Sequence, residues 1–243
     1  MIEKRRIIGE EELAAHFRAV SENDDMPHSR GLSESGSDPR ILSFLSGLNP
    51  TEIFKKGYLL LELGCGAGNT LVYLARKYGV VPHGIDLKKR VPPEANIGYT
   101  NGNIEDMCHL GNNQFDVVFS NGTFHYTPDK LQALREAHRV LRLSGIGIID
   151  FSNLVVDDDG SSTPELVDET VVPTLQRIIA AYPNQGQVAC SRVNIYDRNG
   201  RQERRSNRVI IKKVSEDPLS FPKPASTEYF RPDLPFVRTT YIL

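Results

Sequence analysis

Glu62-Leu63-Gly64-Cys65-Gly66-Ala67-Gly68-Asn69 follows directly on the apolar run that begins at Tyr58. The run predicts a buried strand over residues 58–63. The next ten residues, 69–78, predict a helix with Leu71, Leu74, Ala75 and Tyr78 on one face. Between them lies a turn with glycine at every second position. Such a turn lets backbone approach a ligand closely, and the helix behind it offers free N–H groups. Any nucleoside cofactor could use that arrangement. The spacing G-x-G-x-G differs from the G-x-G-x-x-G of nicotinamide enzymes, and an acid, Glu62, stands two residues before the first glycine. Both features disfavour a nicotinamide oxidoreductase.

The same alternation continues outward. Val81–Asp86 reads as a second strand and Gly98–Asn101 as a third. Phe115–Ser120 is a β-rich, buried fourth, and Ile146–Phe151 a fifth. Thr127-Pro128 is expected to open a helix, with Thr127 as N-cap and Pro128 in the first turn; Leu131, Leu134, His138 and Leu141 mark its inner stripe. Strands separated by helices of this length give right-handed crossovers, hence an α/β fold around a doubly wound, mostly parallel sheet. Asp86 ends the second strand twenty-two residues after Gly64. An acid there can accept both hydroxyls of a ribose.

Taken in order, these segments resemble the class I S-adenosylmethionine-dependent methyltransferases over residues 57–151. Glu62–Gly68 is similar to that family's first motif. Gly102-Asn103-Ile104-Glu105-Asp106 resembles its G-D-A-E-D segment. Residues 115–129, FDVVFSNGTFHYTPD, resemble F-D-V-V-x-S-N-x-x-L-H-H-x-x-D. Arg139-Val140-Leu141-Arg142-Leu143-Ser144-Gly145 resembles R-V-L-K-P-G-G. The resemblance implies a seven-stranded Rossmann-like sheet and S-adenosyl-L-methionine as cofactor. It implies that the loop of Gly64, Cys65, Gly66 and Gly68 wraps the methionine part of the cofactor, with Glu62 organising its ammonium group. Asp86 and Leu87 would serve the ribose, Asn103 and Ile104 the adenine, and Ser120 the floor of the site. Asn103 replaces the family's aspartate, yet its amide oxygen can still accept a hydrogen bond. His125 and Tyr126, just past the fourth strand, are the catalytic candidates. A neutral imidazole suits proton removal near pH 7. Both residues have a plainer reading, as packing groups at the loop. Cys65 fits a packing role better than a nucleophilic one.

Composition bounds the rest. The chain has 243 residues, 39% hydrophobic and 25% charged, with a formal net charge of −2, which suits one globular domain and not a general polyanion binder. No apolar run approaches a membrane span, and the N-terminus carries no apolar stretch of signal-peptide type. The three cysteines, Cys65, Cys108 and Cys190, suggest no disulfide framework and no metal site, and a cytoplasmic setting is expected. The expected organisation is a single domain 1–243. Residues 1–56 give N-terminal helices and a lid, and 57–151 the cofactor core. An acceptor-side insertion and hairpin follow at 152–217, and an extended tail at 218–243.

Within that plan, residues 10–20 and 41–48 read as short helices and 21–40 as a mobile loop. Residues 157–169 form an acidic stretch and 170–181 a helix. Val188–Tyr196 and Arg208–Val214 read as a hairpin around Asn199-Gly200. The hairpin region holds Arg192, Arg198, Arg201, Arg204, Arg205, Arg208, Lys212 and Lys213 against Asp197 and Glu203. These cations either recognise an anionic acceptor or are solvated and pair with the acidic stretch. The expected partner is a small-molecule acceptor, methylated on O or N, with an anionic acceptor as one option. No membrane partner is expected. An RNA or protein methyltransferase is the alternative, although the N/D-P-P-Y/F and Pro-Cys signatures of base-modifying enzymes are missing. A catalytically inactive cofactor-binding protein is a further one.

Overall fold

The computed structural model describes residues 45, 48–88, 91, 93–150 and 208–219, and strand backbone at 6–7, 151, 153–156, 162–165, 188–196 and 202–207. The expected helices at 10–20 and 170–181, the loop at 21–40 and the tail from 220 lie outside the described residues. So does the Asn199-Gly200 turn.

Ten strands are described: β1 (Arg6–Ile7), β2 (Leu59–Leu63), β3 (Val81–Asp86), β4 (Gly98–Asn101), β5 (Phe115–Ser120), β6 (Leu141–Phe151), β7 (Asn153–Val156), β8 (Ser162–Glu165), β9 (Val188–Tyr196) and β10 (Gln202–Lys212). The described helices are α1 (Pro50–Ile53), α2 (Asn69–Tyr78) and α3 (Lys130–Val140). The main sheet has seven strands in the order β4-β3-β2-β5-β6-β10-β9. β2 to β6 run parallel, and β10 is antiparallel to both β6 and β9. This is the expected doubly wound, Rossmann-like sheet with a C-terminal antiparallel pair. The first two crossovers place the C-terminal ends of β2, β3 and β4 side by side, where such folds bind ligands.

Local chemistry explains these elements. Every residue of β5 is buried, as befits a central strand covered on both faces. α2 turns Leu71 and Leu74 inward and ends at Gly79, whose φ of 71° closes the last turn through a hydrogen bond to Ala75 O. One apolar cluster, with Leu60, Leu71, Leu74 and Ile148, packs under α2. The opposite one, with Leu63, Ile85, Ile104, Phe124, Leu134 and Ile149, packs under α3.

Three expectations are corrected. α3 starts at Lys130, not after Thr127. Its N-cap is Asp129, whose carboxylate accepts from Gln132 N–H, while Thr127 ends a separate 3₁₀ turn at Phe124–Tyr126. β6 begins at Leu141 rather than Ile146: the turn that the resemblance implies at 139–145, before the strand, is in part an irregularity inside it, with Ser144 at φ 63°. Ser144 N–H donates to Lys213 O, and Lys213 N–H to Gly145 O, so β10 holds it there. Finally, β10 starts at Gln202 rather than Arg208, and β7 and β8 of the expected insertion form a small antiparallel sheet with the N-terminal β1.

α3 is bolted to the sheet at its C-terminal end. Lys213 Nζ donates to His138 O at 2.9 Å and to Asn113 Oδ1 at 2.6 Å. His138 is buried beside it, and burial, aided by the Lys213 charge, lowers its pKa from 6.5 to about 4. On unfolding His138 regains its ordinary affinity for protons, so its contribution is complete above pH 6.5 and lost progressively as pH falls toward about 4. The melting temperature is therefore expected to drop across that window, and less steeply in His138→Gln. Equal slopes in the two proteins would contradict this.

Candidate active site

The decisive turn is built from opposed constraints. Gly64 and Cys65 N–H both donate to Ile85 O, at 2.8 and 3.1 Å, and Gly68 N–H donates to Cys65 O at 2.8 Å. Gly64, Gly66 and Gly68 have φ of 74°, 52° and 79°, left-handed values that favour glycine. A side chain at Gly64 would also collide with Thr123, and one at Gly68 with Ile97. Gly66 N–H donates to Asp86 Oδ2 at 2.8 Å. The turn after β2 is thus clamped onto the end of β3.

The electrostatics of this corner are unbalanced. Glu62 is 4% exposed, and its Oε2 has no hydrogen-bond partner among the described residues. Burial first, and the nearby Asp86 charge second, push the Glu62 carboxyl well above its usual range, while a hydrogen bond from Thr70 opposes them. A buried carboxyl oxygen without a donor is costly unless a ligand supplies one. Cys65 is buried against Gly84. Burial and the charges of Glu62 and Asp86 raise its thiol pKa, which fits the packing role and not that of a nucleophile. Thr70 and Thr123 were not singled out from sequence. Thr70 follows the last glycine by two residues in the first turn of α2, a position that faces the turn.

The remaining predicted binding residues divide. Asp86 lies at the turn, with Oδ2 taken by Gly66 N–H and Oδ1 accepting a longer 3.3 Å bond from Lys88 N–H. Leu87 follows it, its carbonyl accepting from Asn101 Nδ2 at 2.7 Å. Asn103 Oδ1 accepts Glu105 N–H at 3.0 Å, so one of its lone pairs serves its own turn. The Ile104 side chain is core. Ser120 is fully buried, and its hydroxyl donates to Leu63 O at 3.3 Å, tying β5 to β2 beneath the turn.

His125 and Tyr126 sit in the 3₁₀ turn after β5, their rings 3.9 Å apart between centroids. His125 is buried, and Tyr126 is half-buried with its phenol pKa raised by desolvation. The turn lies against β7 and β6. β1 pairs with β7, with Arg6 opposite Val156, so the N-terminal strand joins the insertion beside this turn.

The basic hairpin is only in part a surface. Arg208 is 1% exposed, and its Nε lies 3.1 Å from Asp150 Oδ1, directly across from it in the β10–β6 register. Lys213 caps α3, as described above. Both residues are buried, so neither is a solvated surface cation. The side chains of Arg192, Arg198, Arg201, Arg204 and Arg205 lie outside the described residues, and Lys212 is exposed. Among the described residues no cluster of His, Cys, Asp and Glu could hold a metal ion, and no helix is long and apolar enough to cross a membrane.

Residues 61–149 match the family model described as a methyltransferase domain. Over that stretch the chain is similar to known methyltransferase domains. Among its relatives, sarcosine/dimethylglycine N-methyltransferase of Halorhodospira halochloris is 32% identical over 130 residues, 49% of this chain and 43% of the relative. The 27-O-demethylrifamycin SV methyltransferase of Amycolatopsis mediterranei is 28% identical over 116 residues, 44% of this chain and 42% of the relative. The chain thus spans less than half the length of these curated relatives. The 1,6-didemethyltoxoflavin-N1-methyltransferase of Burkholderia thailandensis, solved with its acceptor and S-adenosylhomocysteine, shares the fold. Its TM-score is 0.55 at 15% identity, covering 84% of this chain and 88% of that one.

The buried acid at this corner predicts a stability profile of its own. Unfolded, Glu62 ionises near 4.5; folded, it holds its proton to higher pH. Its burial therefore destabilises the ligand-free fold increasingly as pH rises above about 4.5, and not below. Glu62→Gln is expected to raise the melting temperature of the ligand-free protein at pH 8 and to leave it unchanged near pH 4. A lower melting temperature at pH 8 would mean that the carboxylate has a partner.

Proposed function

We propose that this chain transfers the methyl group of S-adenosyl-L-methionine to an oxygen or nitrogen atom of a small-molecule acceptor. The observation that carries the reading is the buried Glu62 Oε2, which lacks a donor at the base of the left-handed glycine turn. The cofactor's ammonium and hydroxyl groups are donors, so the residues present fit it. Bound there, it would supply an activated methyl group ready for displacement. The Gly64–Gly68 turn would receive its amino-acid end, with Cys65 packing beneath, and Asp86 with Leu87 its ribose. Asn103 and Ile104 would flank the adenine, and Ser120 would hold the strands together under it.

What remains for the protein is alignment of the acceptor, exclusion of water and, where the acceptor is protonated, removal of a proton. His125 is the proposed base and Tyr126 a wall of the acceptor pocket. The β1-β7-β8 sheet beside them would form its cover, within a single domain 1–243. The relatives' names refer to a variety of small molecules, and this supports a small-molecule acceptor. The anionic option now rests on the cations other than Arg208 and Lys213. The free thiols of Cys65 and Cys108 suit a cytoplasmic setting.

Two measurements test the reading. S-adenosylhomocysteine should raise the melting temperature, since ligand binding to the folded state stabilises it, while NADH should not. The reverse pattern would falsify the assignment. In calorimetry, Asp86→Ala should lose roughly 1.5–3 kcal/mol of S-adenosylhomocysteine affinity, the usual cost of removing a charged acceptor. Unchanged affinity in a folded variant would place the ribose elsewhere.

A further inference from the structure

Glu105 touches both the adenine side and the acceptor side of the candidate site. It follows the turn after β4, on the proposed adenine side. Its N–H donates to Asn103 Oδ1 at 3.0 Å, and its Oε2 accepts a 3.4 Å bond from Asn103 Nδ2. Its other carboxylate oxygen, Oε1, accepts Asp129 N–H at 2.7 Å, at the N-cap of α3. Its carbonyl accepts Gln132 Nε2 at 3.3 Å, one turn into that helix.

Asp129 stands three residues after the 3₁₀ turn that carries His125 and Tyr126. The join is reinforced from the other side. Lys130 Nζ donates to Thr127 O at 2.8 Å, and the Glu105 charge partly offsets the burial that lowers the Lys130 pKa to about 8. Beneath the strap, Ile104 and Phe124 belong to one apolar cluster. β4 is an edge strand and β5 lies three places further along the sheet, so these links are not those of neighbouring strands.

We propose that Glu105 is a positioning residue that couples occupancy of the adenine side to the order of the acceptor-side turn at 124–129. It touches neither the reacting atoms nor, in this account, the acceptor. Immobilising residues 103–105 on the cofactor would fix Asp129 N–H and the start of α3, and with them the His125 turn. Two sites joined by a shared rigid element influence each other reciprocally. This inference rests on the cofactor reading above.

Hydrogen exchange with and without saturating S-adenosylhomocysteine tests it. In the wild-type protein, amides within 121–131 should slow about tenfold on binding, along with those of 64–70. Glu105→Gln keeps an oxygen acceptor for Asp129 N–H and should retain most of that effect. Glu105→Ala should keep protection at 64–70 but lose it, to within about twofold, at 121–131. A purely structural role would instead lower stability and leave the ligand-induced protection intact, and that result overturns the inference. If Glu105→Ala does not fold, Gln132→Ala removes the second strap bond from the helix side. It should show reduced protection at 121–131, and unchanged protection there again overturns the proposal. Wild-type protein that binds without slowing 121–131 overturns it as well. Failure of the wild type to bind overturns the cofactor reading itself, and this inference with it.

Discussion

The hydrogen bond from Gly66 N–H to Asp86 Oδ2, 2.8 Å long, is the constraint around which the site is organised. It joins the turn after β2 to the end of β3, and the left-handed glycines on either side make the turn possible. Ile85 O takes two further N–H groups of the same turn. Thr123, entering from beyond β5, occupies the space that a side chain on Gly64 would need. The ends of β2, β3 and β5 are therefore registered against one another at this turn.

The same point concentrates unfavourable charge. The Asp86 charge adds to the burial that raises the Glu62 carboxyl, and the charges of both acids raise the Cys65 thiol. Such a corner costs stability in the free protein, and it is the arrangement expected where a ligand brings the missing donors. The far end of the sheet shows the contrast. There Lys213, itself buried, finds Asn113 and two main-chain carbonyls of α3, and Asp116 is held by Leu59 N–H and paired with Arg142. Lys213 finds its partners within the protein; among the described residues Glu62 Oε2 has no donor.

Much of this was legible in the residues. α2, β3, β4 and β5 fall within the expected bounds, because apolar periodicity and the bounding glycines are local signals. The start of α3 was not, because Thr127-Pro128 imitates a helix opening while the cap is made by Asp129 two residues on. The length of β6 was hidden by Ser144-Gly145, which read as a turn but are held in the strand by β10. Arg208 and Lys213 looked like surface cations; only strand register shows Arg208 opposite Asp150, and only tertiary packing brings Lys213 to α3. The strap through Glu105 joins residues 24 positions apart in sequence, and no local pattern announces it.

The central claim is that the glycine turn and its two acids receive the amino-acid and ribose portions of S-adenosylmethionine. A crystal structure with S-adenosylhomocysteine tests it most directly. The account predicts the ligand's amino-acid end on Gly64–Gly68, its ribose hydroxyls on Asp86, and a donor within hydrogen-bond distance of Glu62 Oε2, direct or through water. Ligand bound elsewhere, with the turn empty and the Glu62 oxygen still lacking a donor, would contradict it.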